Sequence, residues 1–136
     1  MVVTKISVKQ LFKKSQIERA LLSPNQAKIE FLILKLTCPY KHEFLARHQR
    51  LDILINNAGV FVAKRTTTAD GIEYTLAVNH LAPFLLTSLL IDRIKASSPS
   101  RIITTSSIAQ KGAKIDFEDI QFERRRYSGI KAYAQS

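Results

Sequence analysis

Three short aliphatic runs limit what this chain can fold into: Lys28–Leu36 (KIEFLILKL), Leu51–Ile55 (LDILI) and Ser100–Thr105 (SRIITT). Each is long enough for a strand and too short for a stable helix. Pro39 ends the first, the turn formers Asn56, Asn57 and Gly59 close the second, and the pair Ser106-Ser107 follows the third. Between the second and third runs Ile72, Leu76, Leu81, Leu85, Leu89 and Ile94 recur near helical spacing, up to Ser97-Ser98-Pro99. Asp70 followed by Glu73 resembles a capping box opening that helix. Tyr40–Gln49 has the pattern of two or three helical turns, and Gly129 onward opens another helix. Ile108–Tyr127 reads as a long polar outer loop with a short turn or two, and Met1–Asn25 at best as part of a helix. Runs apolar on both faces, alternating with helices, predict a parallel sheet covered on both sides. The expected fold is a doubly wound, three-layer α/β/α arrangement.

At 136 residues the chain is one domain, and 46% hydrophobic residues are enough for a packed core rather than disorder. The single cysteine, Cys38, excludes an intrachain disulfide and a multi-cysteine zinc site. Leu81–Ile91, the longest nearly apolar run, is interrupted by Pro83 and too short to span a bilayer. The N-terminus has no continuous apolar stretch of the signal-peptide kind. The sequence thus carries no evident transmembrane segment, and the cytoplasm or a cytoplasmic face is favoured. The net charge of +10 would suit an anionic partner, but its dense points are only Lys13-Lys14, Arg47 with Arg50, and Arg124–Arg126. A nucleic-acid module concentrates such charge on one stripe, so nucleic acid is not the expected partner.

In an open α/β sheet the ligand lies beyond the carboxyl ends of the strands. Asn56-Asn57-Ala58-Gly59 and Thr104–Ser107 fall there, and Asn79 lies in the long helix. Taken singly, each has a plain reading as a turn, a helix cap or a packing residue. Their order and spacing make them one set.

LDILINNAGV, DGIEYTLAVNHLAPFLLTSLL, RIITTSSIA and YSGIKAYAQS together resemble the short-chain dehydrogenases/reductases, nearest their retinol-dehydrogenase-like branch. The resemblance is clear over Leu51–Ser136 and weaker over Gln26–Thr37. It implies a Rossmann-like fold, NAD or NADP as cofactor, and interconversion of an alcohol and a carbonyl on a small retinol-, steroid- or lipid-type substrate. By the same resemblance, Asn56, Asn57, Ala58 and Gly59 form the turn beside the adenine ribose, Asn79 is the catalytic asparagine, and Ser107 hydrogen-bonds the substrate oxygen. Two tyrosines compete for the proton donor. Tyr127 with Lys131 fits a bare Y-x-x-x-K pattern, whereas AYAQS around Tyr133 resembles the family's A-Y-x-x-S and is favoured. Such a tyrosine, ordinarily near pKa 10, is tuned toward neutral pH by a neighbouring cation. Pro83 has no N–H to give the Asn79 carbonyl. In the family that carbonyl holds a water on the proton path.

The family's T-G-x-x-x-G-x-G phosphate turn has no counterpart, since the only glycines are Gly59, Gly71, Gly112 and Gly129. Lys35 stands where the family has an aspartate, and the active-site lysine would fall one residue beyond Ser136. The resemblance therefore implies that residues 1–136 are one partial NAD(P)-binding domain lacking its first strands. Cofactor affinity no better than about millimolar and no turnover by this chain alone are expected. The alternative reading is a non-enzymatic α/β remnant acting through homo-oligomerisation or a partner.

Overall fold

Two of the aliphatic runs become neighbouring strands. The computed structural model describes Ile6–Ser7 and residues 44–136. Within them β1 (Ile6–Ser7), β2 (Ile53–Asn56) and β3 (Arg101–Thr104) form a parallel sheet in that order. Ile6 faces Leu54 across one pairing, and Ile53 faces Arg101 and Asn56 faces Thr104 across the other. The reading of residues 1–25 as helix alone is corrected at Ile6–Ser7. The outer backbone groups of β2 need partners, and the β-branched Ile6 suits a strand. The strand expected at Lys28–Leu36, with Lys35, and Cys38 beyond it, lie outside the described residues.

A parallel pair requires a crossover. Here it is α1 (Tyr74–Leu76), a π-helical turn (Ala77–Leu81) and α2 (Ala82–Ala96). The widened turn sits where Pro83 cannot donate to the carbonyl four residues back, and Ala82 N–H reaches Ala77 O instead. The helix starts later than the capping-box pattern suggested. Glu73, not Asp70, is the N-cap: its carboxylate accepts from Thr75 N and Leu76 N at 2.9 and 2.8 Å.

The core joins Leu51 and Leu54 to Leu86, Leu90 and Ile94 of α2 and to Phe44 of the helical residues 44–47. Each buried leucine contributes about 1.5–3 kcal/mol. The buried line runs one residue away from the expected Leu85 and Leu89, because the four-residue spacing of Leu86, Leu90 and Ile94 keeps them on the side facing β2. The C-terminus of α2 is fastened to the entry of β2, where Ser97 Oγ accepts from Leu51 N at 2.8 Å and donates to Arg93 O at 2.7 Å.

Tyr74–Ala96 spans 23 residues at mean hydropathy 1.4, long and apolar enough by length and composition to cross a membrane. Its line of Leu86, Leu90 and Ile94 is instead packed into the core. β3 is exposed throughout, with Ile102 at 42% and Ile103 at 46%, and its outer edge has no strand partner among the described residues.

Candidate active site

Beyond the carboxyl ends of β2 and β3 the chain leaves an open cavity of about 940 Å³. All seven residues singled out from the sequence line it: Asn56, Asn57, Ala58 and Gly59, then Asn79, Ser107 and Tyr133. Three elements bring them there. The turn leaves β2, the π-helical turn carries Asn79, and α3 (Gly129–Gln135) carries Tyr133.

The asparagines are spent largely on holding the site together. Asn79 Oδ1 accepts from Val60 N at 2.8 Å, while its Nδ2 donates to Val60 O at 3.0 Å and to Ser136 Oγ at 2.9 Å. This side chain pairs with the Val60 backbone as a strand residue would, and it binds the turn to the end of α3. Asn57 Oδ1 accepts from Thr105 Oγ1 at 2.8 Å, which ties the turn to the end of β3. Asn56 Nδ2 donates to Thr87 Oγ1 at 3.1 Å, but its buried Oδ1 has no partner. A buried acceptor without a donor is costly.

Ser107 Oγ accepts from Ala109 N at 3.2 Å and caps the short 3₁₀ turn Ile108–Gln110. It donates to no acceptor among the described residues, and the residue lines the cavity. Tyr133 is half-buried, with its ring edge-on to Phe61 at 5.9 Å. Its hydroxyl likewise has no protein partner among the described residues.

Tyr127 differs from Tyr133 and corrects the outer-loop reading of the residues before α3. Its hydroxyl lies 3.2 Å from Glu73 Oε1, 3.3 Å from Val62 O and 3.5 Å from Thr75 Oγ1, and its ring sits edge-on to Phe122. It is absent from the cavity lining. The loop is held by contacts its polar composition does not advertise. Asp119 accepts from the N–H groups of Glu123, Arg124 and Arg125, and Arg125 stacks 3.9 Å over the Phe122 ring. Burial works against the charge of Asp119. The N–H groups of Arg125, Glu123 and Arg124 and the Arg125 guanidinium outweigh it and hold the carboxyl below its ordinary value. Phe122 adopts the left-handed φ of 53°, rare for an aromatic, at a position only 2% exposed. Gln135 then docks α3 on this loop through Arg125 Nη2 and Ile120 O at 2.9 and 2.8 Å.

Burial pushes the Tyr127 phenol above its ordinary 10.0; the Glu73 charge adds to this, against an opposing hydrogen bond from Thr75. A raised phenol stabilises the fold fully below pH 10, and that stabilisation disappears as pH rises through the folded value. Thermal melts between about pH 8 and about pH 11 should therefore show a larger loss of Tm for the unmodified chain than for Tyr127→Phe. Parallel losses would show that this hydroxyl contributes nothing through its proton.

Residues 40–117 match the sequence model of the short chain dehydrogenase family. The chain belongs to that family. Human retinol dehydrogenase 13 is 45% identical over 112 residues, covering 82% of this chain and 34% of the relative. Human retinol dehydrogenase 12 is 52% identical over 93 residues, 68% of this chain and 29% of the relative. The chain thus spans about a third of the length of the curated relatives it matches. Among solved structures, an uncharacterised protein from Mycobacterium paratuberculosis is similar at 38% identity with a TM-score of 0.59, over 71% of this chain and 34% of that one. The NADH-dependent reductase A1-R' complexed with NAD is similar at 24% identity and a TM-score of 0.51, over 74% of this chain and 40% of that one. That likeness supports the Rossmann-like α/β fold. Gln121 and Gly129 were not visible as site-building residues in the sequence. Glu73 and Tyr127 left local signals that pointed elsewhere, to Asp70 as the cap and to a Y-x-x-x-K pattern with Lys131.

Proposed function

We propose that these residues form part of the site of an NAD- or NADP-dependent oxidoreductase that interconverts an alcohol and a carbonyl. The names of the retinol dehydrogenase relatives point to a retinol-, steroid- or lipid-type substrate. The observation that carries the reading is the convergence of Asn56–Gly59, Asn79, Ser107 and Tyr133 on one cavity, with the Ser107 and Tyr133 protons free.

The neutral parts of a dinucleotide fit. The unpartnered Asn56 Oδ1 offers an acceptor to a ribose hydroxyl or amide, and the turn to Gly59 lines the same cavity. No lysine or arginine lines the cavity, so the pyrophosphate finds no countercharge among the described residues. When bound, the nicotinamide supplies the hydride chemistry. Tyr133 donates a proton to the carbonyl oxygen during reduction and takes it back during oxidation. Ser107 Oγ–H hydrogen-bonds the same oxygen and holds its developing charge. Asn79 acts by position, its amide being occupied by Val60 and Ser136. The test is exchange: residues 51–136, placed in a retinol dehydrogenase relative in place of its matching stretch, should preserve cofactor-dependent turnover. Loss of turnover in a folded chimera would sink the reading.

A second reading rests on the exposed apolar residues of β3 and its neighbours, Ile102, Ile103 and Phe84. An open edge of this kind recruits other strands. Sedimentation of the purified chain should show oligomers or aggregates, and a monodisperse monomer with a sharp cooperative melt would contradict this.

A further inference from the structure

The Tyr127 hydroxyl joins its own segment to two others, and all three lead to candidate site residues. Val62 O belongs to the stretch leaving Asn56–Gly59, with Val60 already clamped by Asn79. Glu73 caps the helix whose next turn holds Asn79. Tyr127 itself directly precedes α3 and Tyr133. The phenol has one proton for two acceptors, Glu73 Oε1 and Val62 O. It can therefore bridge them only while both stay in place.

Glu73 is 1% exposed, and it combines local helix capping with two long-range bonds, to Gln121 and to Tyr127. Its carboxylate holds Thr75 N and Leu76 N, which satisfies two of the helix's orphan donors. Its own N–H goes to Gln121 Oε1 at 3.0 Å, and Gln121 O accepts from Arg65 Nε at 2.9 Å. A buried carboxylate is tolerated only when donors surround it. Two backbone amides and one phenol fill that need, and removing the phenol leaves the charge short of a donor.

We propose that the Glu73 carboxylate and the Tyr127 hydroxyl form a positioning latch that fixes the Asn56–Gly59 turn, the Asn79 turn and the Tyr133 helix relative to one another. The functional weight of this latch rests on the oxidoreductase reading; its mechanics do not. Tyr127 is a positioning residue, and its ring against Phe122 is separable from its hydroxyl.

Hydrogen exchange on the full 136-residue chain tests it without any turnover. The Val60 amide, bonded to Asn79 Oδ1, reports the latched site, and the Arg101 amide, bonded to Asp52 O at 2.8 Å, reports the far end of the sheet. Tyr127→Phe keeps the ring and should raise the ratio of Val60 to Arg101 exchange rates about tenfold, the loss of one charge-assisted hydrogen bond. Glu73→Gln should raise the same ratio, and the double variant should add little to either single change. An unchanged ratio, amides accelerating together, or fully additive effects would each overturn the latch. A chimera inactive in turnover with the ratio still raised would overturn the oxidoreductase reading and leave the latch standing.

Discussion

Tyr133→Phe is expected to lower turnover about 100- to 10,000-fold in a retinol dehydrogenase chimera bearing residues 51–136, the range a lost general acid costs. Phenylalanine keeps the ring and its edge contact with Phe61, so the helix should stay docked. Only the hydroxyl leaves, and that hydroxyl has no protein partner to lose among the described residues. The fall should therefore appear in kcat, with little change in stability or in KM. Tyr127→Phe should show the opposite pattern. Its hydroxyl is surrounded by Glu73, Val62 and Thr75 and does not reach the cavity, so its removal should disturb position and stability first. The sequence favoured Tyr133 over Tyr127 as the proton donor; the structure makes Tyr127 matter for placement. Parallel kinetics and melts of the two variants check this. If Tyr127→Phe is the dead enzyme and Tyr133→Phe is nearly normal, the assignment of the proton donor is wrong.

Gly129→Ala is expected to destabilise the chain, although helix propensity argues for the reverse. Replacing glycine by alanine inside a helix ordinarily contributes about 0.5–1 kcal/mol of stability. Gly129 opens α3, and a Cβ there would overlap the backbone carbonyl oxygen of Val62, with Ala63 Cα and the Phe61 ring each 3.2 Å away. A backbone carbonyl cannot rotate aside as a flexible side chain can. Overpacking of this kind costs about 1–3 kcal/mol, so steric strain should win by about 1–2 kcal/mol. The first turn of α3 would lift from residues 61–63, and Tyr133, one turn later, would lose its place against Phe61. Ile130→Ala is the control. Ile130 is exposed, so its loss should change stability by less than about 0.5 kcal/mol. Denaturant melts of both variants decide the matter. A Gly129→Ala chain more stable than its parent would mean that α3 does not sit against Val62.

The sequence by itself determined the architecture and named candidate residues that line one cavity. Aliphatic runs bounded by turn formers made LDILI and RIITT strands, and the apolar spacing between them made the crossover helix, because neighbouring residues carry that information. The candidates Asn56–Gly59, Asn79, Ser107 and Tyr133 were readable for the same reason, each lying in a recognisable local motif. Tertiary structure decided how they are used. Asn79 is paired with a backbone 19 residues earlier and a serine 57 residues later. Glu73, not Asp70, is the cap, and there its carboxylate also accepts from Tyr127 while its backbone N–H donates to Gln121, residues 54 and 48 positions away. A local motif favoured Tyr133 over Tyr127, but only packing shows what surrounds each hydroxyl, a carboxylate and a carbonyl for Tyr127 and no protein partner among the described residues for Tyr133. Such distinctions depend on packing between distant segments, and no local pattern of residue types records them.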